Sequence, residues 1–209
     1  MLAFSSLLGN VEGQNIYRIW YDKPASYWEE ALPVGNGRIA AMVFGNPQLE
    51  QIQLNEETVS AGSPYQNYNE EAKTALPEMR RLIFEGKYEE AQNMAATKIL
   101  SQVGNEMPYQ TVGRLNIRYP DHKKVNNYYR DLDISNAVAV TRYEVDGVEF
   151  TEETFASFTD QLVIRHIKAS KPGTINCELF FNTPMRDPKR SIYGKKGLRL
   201  EGITHGSRY

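Results

Sequence analysis

Apolar and polar positions alternate with a period of two along most of this chain, the pattern of strands that bury one face. Residues 16–21 open it, with Ile16, Arg18 and Trp20 on one face and Tyr17, Ile19 and Tyr21 on the other. Short apolar runs at 39–44 and 51–54 read as buried strands. Leu115, Ile117 and Tyr119 share a face, and Asp146-Gly147 is the strongest hairpin signal, leading into Val148 and Phe150. Residues 161–168 and 174–181 predict two further strands joined by the turn Lys171-Pro-Gly173, and 198–203 predicts a last one.

The period changes once. Ala72, Ala75, Leu76, Met79, Leu82 and Ile83 form a stripe at helical spacing, with Asn69 placed to cap a helix starting at Glu70. Pro77 is expected to break or kink it, because proline removes a hydrogen-bond donor and crowds the preceding turn. Gly86 ends the segment, and Tyr88, Ala91, Met94, Ala95 and Ile99 give a second stripe. Such stripes mark core packing rather than a ligand site. At least eight short strands and one helical excursion predict a mainly β, two-sheet antiparallel β-sandwich, supersandwich-like, with a helical insertion at about residues 69–100.

Composition narrows the function classes. The 209 residues carry 24 basic and 26 acidic side chains, a net charge of −2, so no global field attracts a polyanion and nucleic acid is not the expected partner. The basic group Lys189, Arg190, Lys195, Lys196 and Arg199 reads as a solvated loop between strands. Cys177 is the single cysteine and packs as a small apolar residue. The three histidines, His122, His166 and His205, lack zinc-ligand spacing, so no metal and no cofactor is expected. No run approaches the roughly 18 apolar residues of a membrane span. Residues 1–14 read either as a signal-peptide remnant without its charged start or as a tail; the first reading implies a periplasmic or secreted protein.

Two polar knots interrupt the apolar pattern: Val34-Gly-Asn-Gly-Arg38 and Leu54-Asn-Glu-Glu-Thr58. Glycines at 35 and 37 permit a tight turn, and by themselves the knots are turns that stabilise a sheet. Together with Trp28, Glu30-Ala-Leu-Pro33, Met42-Val-Phe-Gly45 and Gly62-Ser-Pro64, however, the stretch resembles the start of glycoside hydrolase family 95, chiefly α-L-fucosidases. The likeness continues through Tyr109-Gln-Thr-Val-Gly113, Tyr129-Arg-Asp-Leu-Asp133, Phe155-Ala-Ser157 and Asp160-Gln-Leu-Val163. In one departure, Val59-Ser60 stand where the family usually has Leu-Trp, so no role of that tryptophan carries over.

The resemblance implies an N-terminal β-sandwich domain over residues 15–209, truncated at its C-terminal end, with the catalytic (α/α)6 barrel absent. It implies an enzyme that, at full length, hydrolyses terminal α-L-fucosyl linkages of fucosylated glycans, while these residues alone are inactive. Inverting hydrolysis needs carboxyls roughly 6.5–9.5 Å apart on opposite sides of a sugar. Adjacent acids on a strand face opposite ways, as in Glu29-Glu30, Glu56-Glu57 and Glu152-Glu153, and an i, i+2 pair such as Asp131 with Asp133 shares a face without enclosing a substrate. None therefore makes an acid/base site by itself, and solvated strand edges and turns account for them. Asn36, Arg38, Asn55 and Glu56 are the candidate functional residues, expected to lie together at one end of the sandwich. There they would meet the barrel or reach the substrate rim. The alternatives are a free-standing carbohydrate-binding module using Trp20 or Trp28, or a domain of an α-L-galactosidase of the same family.

Overall fold

The computed structural model describes residues 17–60, 68–101 and 109–204. The expectations for residues 1–14, for Gly62-Ser-Pro64 and for residues 205–209 lie outside these. The chain forms two compact units, one of residues 1–57, 111–184 and 190–200, the other of residues 58–110, 185–189 and 201–209.

The first unit is the sandwich. Its strands are β1 (Arg18–Tyr21), β2 (Leu32–Gly35), β3 (Ile39–Val43), β4 (Leu49–Glu56), β5 (Gly113–Arg118), β6 (Val125–Asp133), β7 (Val138–Val145), β8 (Val148–Ser157), β9 (Leu162–Ala169) and β10 (Glu178–Asn182). They form two antiparallel five-stranded sheets, ordered β1-β6-β7-β8-β9 and β10-β5-β4-β3-β2. The β7–β8 hairpin turns at Asp146 and Gly147, both at positive φ (48° and 76°), the backbone twist that suits a two-residue loop. Lys171-Pro-Gly173 is a turn between β9 and β10, which belong to opposite sheets, and the second strand begins at Glu178 rather than Thr174. Strand β2 is hard to read in sequence because proline and glycine occupy its outward positions, where they are tolerated only on a sheet edge.

Alternation places Leu32, Val34, Ala41, Val43, Ile52, Ile117 and Tyr119 of one sheet against Leu132 and Ala139 of the other, all buried. Cys177 packs at the margin of this cluster. Burying each large aliphatic side chain of this kind contributes about 1.5–3 kcal/mol.

Beside this apolar layer the interior is ionic. Arg165 of β9 reaches across the sandwich, its Nη2 donating to Glu50 Oε2 of β4 at 2.6 Å and to Glu152 Oε2 of β8, while Nη1 donates to Thr154 Oγ1 at 2.8 Å. Glu50 Oε1 accepts the N–H groups of Gly45 (2.8 Å) and Gln51 (2.9 Å), and Glu152 Oε1 accepts the Tyr143 hydroxyl (2.7 Å). Both carboxylates are therefore bonded at both oxygens, which is what makes buried charge tolerable. Arg130, also fully buried, donates to the carbonyls of Lys23 and Glu30 at 2.8 and 2.7 Å and lies over the Tyr21 ring. Gly45 is required here: its φ is +72°, and a Cβ would meet Tyr128 Oη at 2.8 Å and Arg130 Cδ at 2.9 Å.

The second unit is helical. Helix α1 (Ala72–Phe84) packs on α2 (Tyr88–Met94), which continues into a π turn at Ala95–Ile99. Ala75, Leu82 and Ala91 are buried and Met79 is half-buried. Asn69 Oδ1 accepts the Glu71 N–H at 3.0 Å at the helix start. At its end Gly86 adopts φ +75° while Lys87 N–H donates to Leu82 O, a Schellman closure. The expected break at Pro77 does not occur, and α1 runs through it. The carbonyl deprived of a partner belongs to Lys73, an exposed residue, so water can satisfy it. Strands β11 (Arg186–Tyr193) and β12 (Gly197–Ile203) pair as a two-stranded ribbon, so the basic group reads in the structure as an exposed hairpin rather than a loop.

Candidate functional site

The two knots meet. In the β3–β4 register Ala40 pairs with Asn55 and Ile39 with Glu56, so the start of β3 and the end of β4 lie at one end of the sheet. The Glu57 N–H donates to the Arg38 carbonyl at 3.0 Å. Gly37, at φ +90°, completes the β2–β3 turn.

The four candidate side chains have different surroundings. Asn36 is 7% exposed. Its Oδ1 accepts the N–H groups of Arg38 and Ile39 at 3.0 and 2.9 Å, and its Nδ2 donates to Ser157 O at 2.8 Å, tying the turn to the end of β8 in the other sheet. Asn36 is a clamp of the fold. Arg38 is exposed and its Nε donates to Glu56 Oε1 at 2.9 Å. The Glu56 carboxylate holds the Arg38 guanidinium above its usual pKa, through that hydrogen bond first and its charge second. Asn55 is half-buried, and its Oδ1 is buried without a hydrogen-bond partner among the described residues.

The same end of this sheet carries a cavity that the sequence did not announce. About 330 Å³ in volume, it is lined by Gln53, Thr111, Gly113, Arg114, Asn182, Thr183 and Pro184. Register explains the grouping: Gln53 pairs with Arg114 and Arg114 with Asn182, so three polar side chains from three adjacent strands stand in one row on the outer face. Gly113 has φ +138° and a Cβ there would meet Asn182 O at 2.4 Å, so the backbones approach closely beside the cavity. Nothing in the spacing of single residues along the chain reveals such a row; it exists only once the strands are in register.

Several of the acids that the sequence places at solvated edges and turns have other surroundings. Glu152, Asp131 and Asp133 are not at solvated edges but buried: Glu152 in the Arg165 cluster, Asp131 against Arg142, and Asp133 capping the turn at Ser135 and Asn136. The hydrogen bond from the Asn136 side chain leads those that hold the Asp133 carboxyl below its ordinary pKa. Glu30 is likewise lowered, first by the Ser26 N–H. Burial in ion pairs overrides the usual surface preference of carboxylates because each charge has a partner in place. Among the described residues no group of three or more His, Cys, Asp or Glu side chains is placed to hold a metal ion, and no helix is long and apolar enough to cross a membrane.

Fold and site thus define an antiparallel β-sandwich domain with a polar rim at one end. Residues 19–208 match the family described as glycosyl hydrolase family 65, N-terminal domain, and the chain belongs to that family. The relatives are those that the family 95 resemblance implied. The chain is 37% identical to alpha-L-fucosidase 2 of Arabidopsis thaliana over 84% of its own length and 21% of the relative's. It is 26% identical to a probable alpha-fucosidase A of Aspergillus niger, over 73% of this chain and 20% of that protein. With the corresponding protein of Aspergillus oryzae it shares 25% identity, over 95% of this chain and 28% of the relative. The chain thus spans a fifth to somewhat over a quarter of the length of these relatives.

Proposed function

We propose that this chain serves as the non-catalytic N-terminal β-sandwich of an α-L-fucosidase that hydrolyses terminal α-L-fucosyl linkages in glycans. In this reading the acid and base stand on a catalytic barrel outside these residues. The observation that carries the proposal is the combination of relatives named as fucosidases, matched over most of this chain but a small part of theirs, with acids that are buried in ion pairs or scattered. The polar rim of Arg38, Glu56 and Asn55, with the cavity beside Arg114, is the surface we assign to meeting the barrel or the edge of its sugar pocket. Its exposed Arg–Glu pair supplies a donor and an acceptor for a second surface. Asn36 supports that surface from beneath. A periplasmic or secreted location belongs to the same proposal, as the site where glycans are met.

The test is release from an aryl α-L-fucoside and from a 2′-fucosylated oligosaccharide. The 209-residue chain alone is expected to be inactive and the full-length enzyme active. Turnover by the purified chain that survives removal of contaminating enzyme would overturn the reading.

A further inference from the structure

The geometry points to a second recognition surface: a glycan-stacking platform on the outer face of the β1-β6-β7-β8-β9 sheet, where the exposed ring of Trp20, backed by Tyr129, holds a neutral pyranose by its ring face. It does not rest on the fucosidase reading or on the rim. Trp20 is 62% exposed on β1, and the half-buried Tyr129 stacks on it, with ring centroids 6.3 Å apart and planes 19° apart. Trp20 pairs with Asp131, so Tyr129 is its diagonal neighbour on the same face, within reach of a large aromatic side chain.

The flanks of the two rings are built. Arg142 pairs with Tyr129 across β6–β7 and sets its guanidinium carbon 5.9 Å from the Tyr129 centroid. Asp131, fully buried, receives Arg142 Nη1 at 3.1 Å and Arg18 Nη1 at 3.7 Å on Oδ2, and Arg18 Nη2 lies 3.8 Å from Asp133 Oδ2. Burying a carboxylate is costly unless it is paired. Here the buried charge pins two partly exposed guanidiniums beside an aromatic surface, each with N–H groups beyond those it uses on the acids. Asp131 Oδ1 has no hydrogen-bond partner among the described residues.

This pattern selects its ligand. Arg18 and Arg142 balance Asp131 and Asp133, so the patch attracts neither anion nor cation strongly. A protein-binding core would be depleted of charge, whereas these rings are interleaved with ionised groups. A pyranose matches: its C–H face lies on a π surface, and its hydroxyl edge meets fixed donors.

The experiment titrates the 209-residue chain with 2′-fucosylated lactose and, separately, with cellohexaose, following the indole N–H resonances of Trp20 and Trp28 by NMR. At least one sugar is expected to shift Trp20 and leave Trp28 unmoved. Trp20→Ala and Tyr129→Ala are expected to weaken binding by about tenfold or more, Trp20→Phe by less, and Trp28→Ala and Arg38→Ala not at all. Trp20 is exposed, so an unchanged melting midpoint of Trp20→Ala is the folding control. No shift with either sugar, binding unchanged in Trp20→Ala, or binding lost only in Arg38→Ala would each overturn the proposal. The last outcome would assign the sugar to the rim.

Discussion

Two arginine–glutamate contacts in this molecule share their chemistry and differ in everything else. Arg165 joins Glu50 and Glu152 between the sheets, with side chains almost wholly shielded from water. Arg38 joins Glu56 at the sandwich end, where the arginine is 57% exposed. In the interior the charges attract strongly because little solvent screens them, but they remain there only because every partner is present. At the rim, water and salt screen the pair, so it contributes little to folding. The first contact holds the two sheets in one arrangement; the second is a screened surface pair.

Removing Arg165 tests this contrast most severely. Arg165→Met leaves two carboxylates facing each other without a cation, and a loss of about 3–5 kcal/mol is expected in denaturant melts. A loss near zero would mean that water or protonation rescues the carboxylates, and that the interior pair differs little from the surface one. Asn36→Ala comes next, at about 1–3 kcal/mol, because Ser157 O and the turn N–H groups lose a buried partner. An unchanged midpoint would move Asn36 from the clamp to the rim.

A smaller effect depends on pH. His122 lies buried between Tyr119 and Phe150, its Nδ1 2.9 Å from the Pro47 carbonyl, and burial lowers its pKa below the ordinary value. The unfolded chain therefore binds a proton that the folded chain refuses. Stability from this group is complete above about pH 6.5 and falls as pH drops below that value. Comparing wild type with His122→Phe between about pH 7.5 and 5.5 should show the steeper loss in wild type; equal slopes would exclude His122 as the cause. The smallest effect is expected of Arg38→Ala. The melting midpoint of the 209-residue chain stays where it was, while activity of the proposed full-length enzyme falls or its domain docking loosens. Full activity in that variant would make the Arg38–Glu56 contact an inert surface pair.

The apolar half of the structure was written in the sequence. A period of two along a strand leaves no choice about which side chains face in, so the strands carrying Ile52, Ile117 and Phe150 and the turn at Asp146-Gly147 could be read directly. Local rules also placed Gly86 at the end of α1, whereas its start lies at Ala72 rather than Glu70, with Asn69 holding the turn that precedes it. The meeting of the knots followed from a short β3–β4 connection. The family resemblance named the fucosidase relatives that the comparison then found.

Tertiary structure alone decided the fate of the charges. Glu50, Glu152 and Arg165 lie on three separate strands; alternation turns Glu152 to the side of Phe150 and Glu153 to the other, but it does not show that a cation waits for Glu152, which is wholly buried while Glu153 is half-exposed near His166. Burial of a charge depends on a partner distant in sequence being present to neutralise it, so a residue's own type and neighbours carry no record of it. The same holds for the row Gln53, Arg114, Asn182 and for the Trp20–Tyr129 platform, which arise from register between strands far apart in the chain. Sequence periodicity sets the direction of each side chain because that is a property of one strand. What the side chain meets is a property of the pairing, which only the folded chain fixes.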